Sequence, residues 1–194
     1  MAQNAKLGLR VSSTVSANRI KVTSDTLSIA ENKTAVKFMI GVVADYAFDK
    51  NYFFSTGLNY FPKKVSFIAN GKNETPLAEE VYTLQYLQIP LSLKLVSNEV
   101  SLDKKLYFIV GTELDFKIKE NSNDAPNNFI KRFRKINAGL VLGGGMEQRI
   151  AVNTYIYLGA SYHRALSNSA TTFSNKPDFK IKSDFFAIDF FVRF

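Results

Sequence analysis

The chain contains no cysteine, no tryptophan and a single histidine in 194 residues. Without cysteine there is no disulfide framework, no thiolate metal site and no cysteine nucleophile. One histidine excludes any site built on a histidine cluster. Apolar runs are short as well: none approaches the ~20 residues of a membrane-spanning helix, and mean hydropathy is -0.08. No P-loop, dinucleotide-binding glycine pattern or metal-ligand spacing is present, so no cofactor is expected. Met1-Ala2-Gln3 leads straight into a strand-like segment without an apolar leader. This reads as a mature chain whose targeting peptide has been removed. Absence of cysteine is compatible with an extracytoplasmic bacterial setting.

Charge is abundant but unbalanced, with 25 Lys+Arg against 17 Asp+Glu, a formal net charge of +8. Such an excess raises nucleic acid as a ligand class. The charges, however, fall singly along apolar stretches, and stacking platforms need a basic groove that this arrangement does not supply. Nucleic acid is therefore not expected as a partner.

What the sequence does have is a period of two. Val36, Phe38, Ile40, Val42, Tyr46 and Phe48 alternate with Lys37, Met39, Gly41 and Asp45. Leu106, Phe108, Val110, Leu114 and Phe116 alternate with Tyr107, Gly111, Glu113, Asp115 and Lys117. Segments 135–149 and 154–166 and the stretch ending at residue 194 repeat the pattern, and 6–16, 52–68 and 81–97 complete a set of eight. Alternation of this kind specifies strands. At about 11 to 17 residues each they exceed the ~5–6 of ordinary strands and match the lengths of tilted bilayer-crossing ones. Short connections at 49–51, 98–104 and 150–153 alternate with long polar ones at 17–34, 69–80, 120–134 and 167–182. The predicted fold is all-β: one domain over residues 1–194, an eight-stranded antiparallel up-and-down transmembrane β-barrel of the bacterial outer membrane. Both termini would lie on the periplasmic, short-turn side and the long loops outside.

Glycine assigns the faces. Gly41, Gly57, Gly111, Gly139, Gly143, Gly145 and Gly159 fall largely in the polar phase, among tyrosines, phenylalanines and charges. A solvent face gains nothing from residues that weaken strands, whereas a narrow lumen needs small residues beside large ones. The polar phase is thus expected inside. Lys37, Asp45, Lys94, Glu113, Asp115, Lys117, Glu147, Arg149, Asp189 and Arg193 would form a paired lumen network, because isolated charges there would be costly. Tyr46, Phe48, Tyr52 and Phe54 at one end, with Tyr60, Phe61, Tyr82 and Tyr86 toward the other, suit interfacial aromatic girdles. Pro90 removes a ladder hydrogen bond and predicts a bulge or bend.

Two stretches resemble known sequences. Phe186, Ile188, Phe190, Val192 and the terminal Phe194 are similar to the signal by which outer-membrane barrels are recognised by their assembly machinery. Tyr86-Leu87-Gln88-Ile89-Pro90-Leu91-Ser92-Leu93-Lys94-Leu95, with Gly57-Leu58-Asn59-Tyr60 before it, resembles the PorT-like outer-membrane β-barrel family of Gram-negative bacteria. Gln88 stands where members often carry Glu. The resemblance implies an outer-membrane barrel and, through the family's founding member, a link with type IX secretion and gliding-type machinery.

Candidate sites are few. Ser161 and His163 share a strand face, which raises a lipid-modifying outer-membrane hydrolase as an alternative. They stand ~6.5–7 Å apart along the strand, so contact depends on rotamers. Glu113 and Asp115 also share a face, but Lys117 beside them favours a salt-bridged lumen over acid–base chemistry. Phe129, Lys131, Arg132, Phe133, Arg134 and Lys135 form the one dense basic cluster, suited to lipopolysaccharide phosphates or an acidic protein, with the two phenylalanines in the acyl layer. The expected protein is non-enzymatic, a structural or assembly component of an envelope complex in contact with membrane lipid. A soluble lipocalin-like barrel binding an apolar ligand is the other alternative, and it requires the apolar phase to point inward.

Overall fold

The computed structural model describes residues 5–22, 28–31, 36–70, 76–122, 130–172 and 179–194. Its strands in chain order are β1 (Ala5–Val22), β2 (Ser28–Glu31), β3 (Val36–Ala47), β4 (Tyr52–Asn70), β5 (Pro76–Ser101), β6 (Lys104–Ser122), β7 (Ile130–Phe133), β8 (Ile136–Arg149), β9 (Tyr155–Ala165), β10 (Ala170–Thr172) and β11 (Phe179–Arg193). No helix occurs among the described residues.

Eight long strands pair antiparallel in sequence order, and β1 pairs with β11 from Gly8↔Arg193 to Val22↔Phe179, which closes the barrel. Closure removes the unpaired edges that an open sheet of this size would leave. The short turns after β3, β5 and β8 gather at one end with the beginning of β1 and the end of β11. The turn at Leu102-Asp103 is tight enough to hold Asp103 at φ 58°, a left-handed conformation that aspartate tolerates better than most residues.

The expected long loops are partly strand. β1 runs through residue 22 and β5 begins at residue 76. Three short strands lie within the connections: β2 adds to β4, and β7 pairs with β10. These segments are polar, so no apolar alternation announces them, yet they continue ladders already set by the barrel wall. Pro90 is likewise corrected. The β4–β5 pairing skips Gly57 and Leu58 but resumes at Asn59↔Gln88 in the register of Thr56↔Leu91, so no bulge forms there. Thr56 Oγ1 donates to the Pro90 carbonyl at 2.8 Å instead. The bulge is at Ile118, where β6 carries one residue more than Gln85-Tyr86 of β5.

The barrel is apolar outside and polar inside. Leu7, Phe38, Ile40, Val42, Phe108, Leu142, Leu158, Phe186, Ile188 and Phe190 are all exposed on the outer wall. This excludes the lipocalin-like alternative. Tyr46, Phe48, Tyr52 and Phe54 are exposed beside the first short turn, as a girdle requires. Phe61, Tyr82 and Tyr86 are not part of a girdle: all are buried in the lumen, because they share strand phase with Lys63, Leu84 and Gln88.

The outer wall gives a direct test. Leu142 is 63% exposed and lies between Val110 and Tyr162 on neighbouring strands. Leu140, one outward position further, faces the exposed Arg164, so Leu142 is the outward position of β8 better separated from charge. Leu142→Arg is expected to cost ~2–4 kcal/mol in lipid vesicles, measured by urea unfolding. A negligible change would remove this part of the wall from the bilayer.

Candidate functional site

Inward-facing side chains fill the lumen in three layers. The layer nearest the short turns holds two carboxylates and two cations. Lys94 Nζ donates to Asp45 Oδ2 at 2.7 Å, Ser55 Oγ donates to Asp45 Oδ1 at 2.7 Å, and Arg193 reaches Asp45 at 3.3 Å and Glu147 at 3.6 Å. Above it lies an aromatic stack: Tyr157 and Phe191 are parallel at 4.1 Å, and Tyr107 packs edge-on at 5.4 and 5.9 Å. Lys94 Nζ sits 3.8 Å from the Tyr157 ring centre, so the ammonium is held by both a carboxylate and a π face.

The middle layer is one continuous hydrogen-bonded network. Asp189 accepts from Arg10 Nη2, Ser12 Oγ and Ser161 Oγ, each at 2.6 Å. Ser161 Oγ lies 3.0 Å from His163 Nε2, and His163 Nδ1 lies 2.5 Å from Glu113 Oε2. Gln88 Nε2 donates to Glu113 at 3.0 Å and Asp115 at 3.1 Å, and Lys63 Nζ donates to Asp115 at 2.7 Å. The imidazole stacks on Phe185 at 4.0 Å. Arg10 pairs with Asp189 and Lys63 with Asp115, while Glu113 is met by Gln88 and the imidazole, so every carboxylate of this layer is hydrogen-bonded, as low dielectric demands.

Ser161 and His163 therefore do meet, in mid-barrel, with Glu113 behind the ring. The arrangement has the order of a nucleophile, a base and an orienting carboxylate. Its hydrogen bonds run the wrong way for attack. The Ser161 hydroxyl lies 2.6 Å from Asp189 and 3.0 Å from His163 Nε2, and its one proton goes to the carboxylate, not toward the ring as attack requires. Both residues are buried, His163 at 1% exposure, and the cavity that they line with Tyr107, Gly143 and Asp189 is about 30 Å³. That volume fits one water molecule, not a lipid.

The third layer is apolar and caps the lumen at the long-loop end. Val65, Tyr82, Leu84, Tyr86 and Ile181 from the wall enclose Ile130 and Phe133 of β7 and Ala170 of β10. Phe133 is 1% exposed and packs edge-on against Tyr82 at 5.0 Å. It is thus a plug residue, which corrects the expectation that it reaches the acyl layer. The register shift between β7 and β10, where Thr171↔Arg132 is followed by Thr172↔Ile130, lets Ile130 and Phe133 both turn inward and leaves Lys131, Arg132, Arg134 and Lys135 exposed. Phe129 lies outside the described residues.

The remaining expected lumen residues divide. Lys117 is inside, where its ammonium bonds Glu120 and the Phe133 carbonyl beneath the plug. Lys37 is half-buried in the inward phase next to Met39, and no ion pair involves it among the described residues. Arg149 is corrected: it is exposed at the short-turn end and bridges Asp103 at 2.5 Å, because it is the last residue of β8, still paired with Tyr155 of β9 but past the final β6 pair at Lys104↔Gln148. Sequence reasoning missed Arg10, Ser12, Asn59 and Lys63. Strand phase could have found them, since Gly8, Ser12 and Thr14 share the inward set with Arg10, and Asn59 and Phe61 share it with Lys63. Phe186, Ile188, Phe190 and Phe194 are exposed on the outer wall with Val192 half-buried among them. The Phe194 amide donates to the Leu7 carbonyl at 2.8 Å, which ties the last residue to the first strand.

The closed eight-stranded antiparallel barrel has solved counterparts. The outer membrane protein OprG from Pseudomonas aeruginosa superposes with a TM-score of 0.60 at 14% identity, over 98% of this chain and 96% of that one. The Neisserial surface protein A superposes with a TM-score of 0.56 at 12% identity, again over 98% and 96% of the two chains. At such identities the likeness concerns the fold. No curated protein matches the sequence. Residues 1–171 match the family described as outer membrane protein beta-barrel domain, and the chain belongs to that family of bacterial outer-membrane barrels.

Proposed function

We propose that this protein is a closed, non-enzymatic barrel that acts through its outer wall and its long-loop end as a structural or assembly component of an envelope complex. The observation that carries this reading is the filled lumen: an ion-paired layer, a bonded polar layer and an apolar plug succeed one another along the axis. Such a barrel offers no aqueous path, and its one serine–histidine contact faces no substrate-sized space. What remains available to other molecules is the exterior.

Short turns beside the termini and long connections opposite support a periplasmic short-turn end and extracellular loops. The outward Phe186, Ile188, Phe190 and Phe194 suit recognition by the barrel-assembly machinery. The PorT-like strands at Gly57–Tyr60 and Tyr86–Leu95 favour a secretion-related complex of the type IX kind among envelope assemblies.

Reconstitution in planar bilayers is expected to give no steady single-channel steps, and mild detergent extraction of native envelopes should yield the chain in a species well above its own 21.8 kDa. Uniform conductance steps would overturn the closed lumen. Extraction of a lone barrel would overturn membership of a complex.

A further inference from the structure

The barrel rim carries a basic cleft of about 550 Å³ between the upper part of β6 and the segment that returns from β7 to β8. Lys119, Arg132, Arg134 and Lys135 line it and are exposed. The one carboxylate in its lining, Glu120, is already bonded to Lys117, so it does not neutralise these four. No ion pair involves them among the described residues.

The cleft is held in shape by its backbone. Lys117 N donates to the Lys135 carbonyl at 2.7 Å, and Arg134 N donates to the Ser169 carbonyl at 2.8 Å. Phe133 between them is locked in the plug. The two guanidinium groups therefore project from fixed backbone at the end of β7 and just beyond it, and a planar fork on fixed backbone suits bidentate contact with an oxyanion.

Directly below, the wall changes character. Ile118 and Ile136 are exposed at 53% and 57%, and the apolar face continues down β8 through Leu140 and Leu142. A cationic cleft seated on an apolar wall matches a molecule with an anionic head and hydrocarbon tails, in the orientation that the bilayer boundary imposes.

We propose that this cleft binds the phosphate group of an anionic amphiphile whose acyl chains lie against the Ile118–Ile136 wall. The chemistry recognised is a phosphate ester. Two arginines and two lysines around one cleft exceed what a single carboxylate would need, and the apolar wall favours a lipid over a soluble phosphate. The inference concerns the outer surface and is independent of whether the lumen conducts.

The test uses the full chain in nanodiscs of phosphatidylcholine doped with phosphatidylglycerol, released into detergent for native mass spectrometry. Wild type is expected to retain phosphatidylglycerol preferentially, and Arg132→Gln/Arg134→Gln to lose at least about fivefold of that preference. Lys50→Gln/Lys104→Gln, at the opposite end, should retain it fully. Equal retention of the two lipids by wild type overturns the site, as does unchanged retention in the arginine variant or an equal loss in the control variant. Pyrophosphate that displaces the lipid at equimolar concentration overturns the amphiphile as ligand and assigns the cleft to a soluble phosphate. Heat-modified gel migration checks that each variant is folded.

Discussion

Asp45→Ala is expected to destabilise the barrel by about 4 kcal/mol, within the ~3–5 kcal/mol that follows removal of one member of a buried ion pair. The carboxylate accepts from Lys94, Ser55 and Arg193. Removing it leaves an ammonium that is 0% exposed and a guanidinium that is 3% exposed in a layer whose other carboxylate, Glu147, is 3.6 Å from Arg193. The large term is the stranded charge, not the lost attraction. Accordingly, Asp45→Ala/Lys94→Met should recover more than half of the loss, since Met fills the space over Tyr157 without a charge and Arg193 keeps Glu147. With no tryptophan in the chain, urea unfolding in lipid vesicles is followed by tyrosine emission or by heat-modified migration. A loss below about 1 kcal/mol, the worth of an exposed pair, would show that water reaches this layer and that the lumen is wet.

The fold was legible because a membrane barrel writes its faces in a period of two, and because its glycines cluster in one phase. That pattern is set by sterics and by solvent on each wall, both local to a strand. Two features were not legible for a related reason: they depend on what lies across the lumen. Ser161 and His163 can meet only because Asp189 and Glu113, from two other strands, orient both side chains. Phe133 reads as a surface aromatic among cations, and only the space enclosed by Tyr82, Tyr86 and Ile181 draws it in. The strands at Gly57–Tyr60 and Tyr86–Leu95 have a plain structural meaning in the same terms. Their inward positions, Asn59, Gln88, Ser92 and Lys94, are all buried, and Asn59 Nδ2 donates to Gln88 at 3.2 Å. With Gln rather than Glu at 88, the residue donates to Glu113 and Asp115 at once, whereas a third carboxylate there would repel both. The motif thus encodes lumen filling, which is why it reports architecture more directly than activity.

Gly159→Leu is the sharpest test of the idea that glycines make room for the lumen aromatics. A Cβ at this position would fall on the Tyr107 hydroxyl and 2.5 Å from the Gly144 carbonyl oxygen. The first obstacle is a side chain, but it belongs to a buried tyrosine packed edge-on against both Tyr157 and Phe191 and cannot swing away freely. The second is backbone in the neighbouring strand. Leucine is therefore expected to cost about 3 kcal/mol, the upper end for overpacking a filled core. Gly144 faces the other way: a Cβ there would stand 3.0 Å from the Tyr107 carbonyl oxygen, a tight approach that a few tenths of an ångström relieve, and 3.2 Å from the Phe108 ring edge, on the outer wall where that ring can turn. Gly144→Ala should change stability by less than about 1 kcal/mol, the span of intrinsic strand preference. Tyr107→Ala combined with Gly159→Leu should cost clearly less than the sum of the two single changes, with a coupling of roughly 2 kcal/mol, because leucine fills what tyrosine vacates. Additive costs would mean that the phenol does not occupy the space over Gly159, and the packing logic of the whole inner face would fail with it.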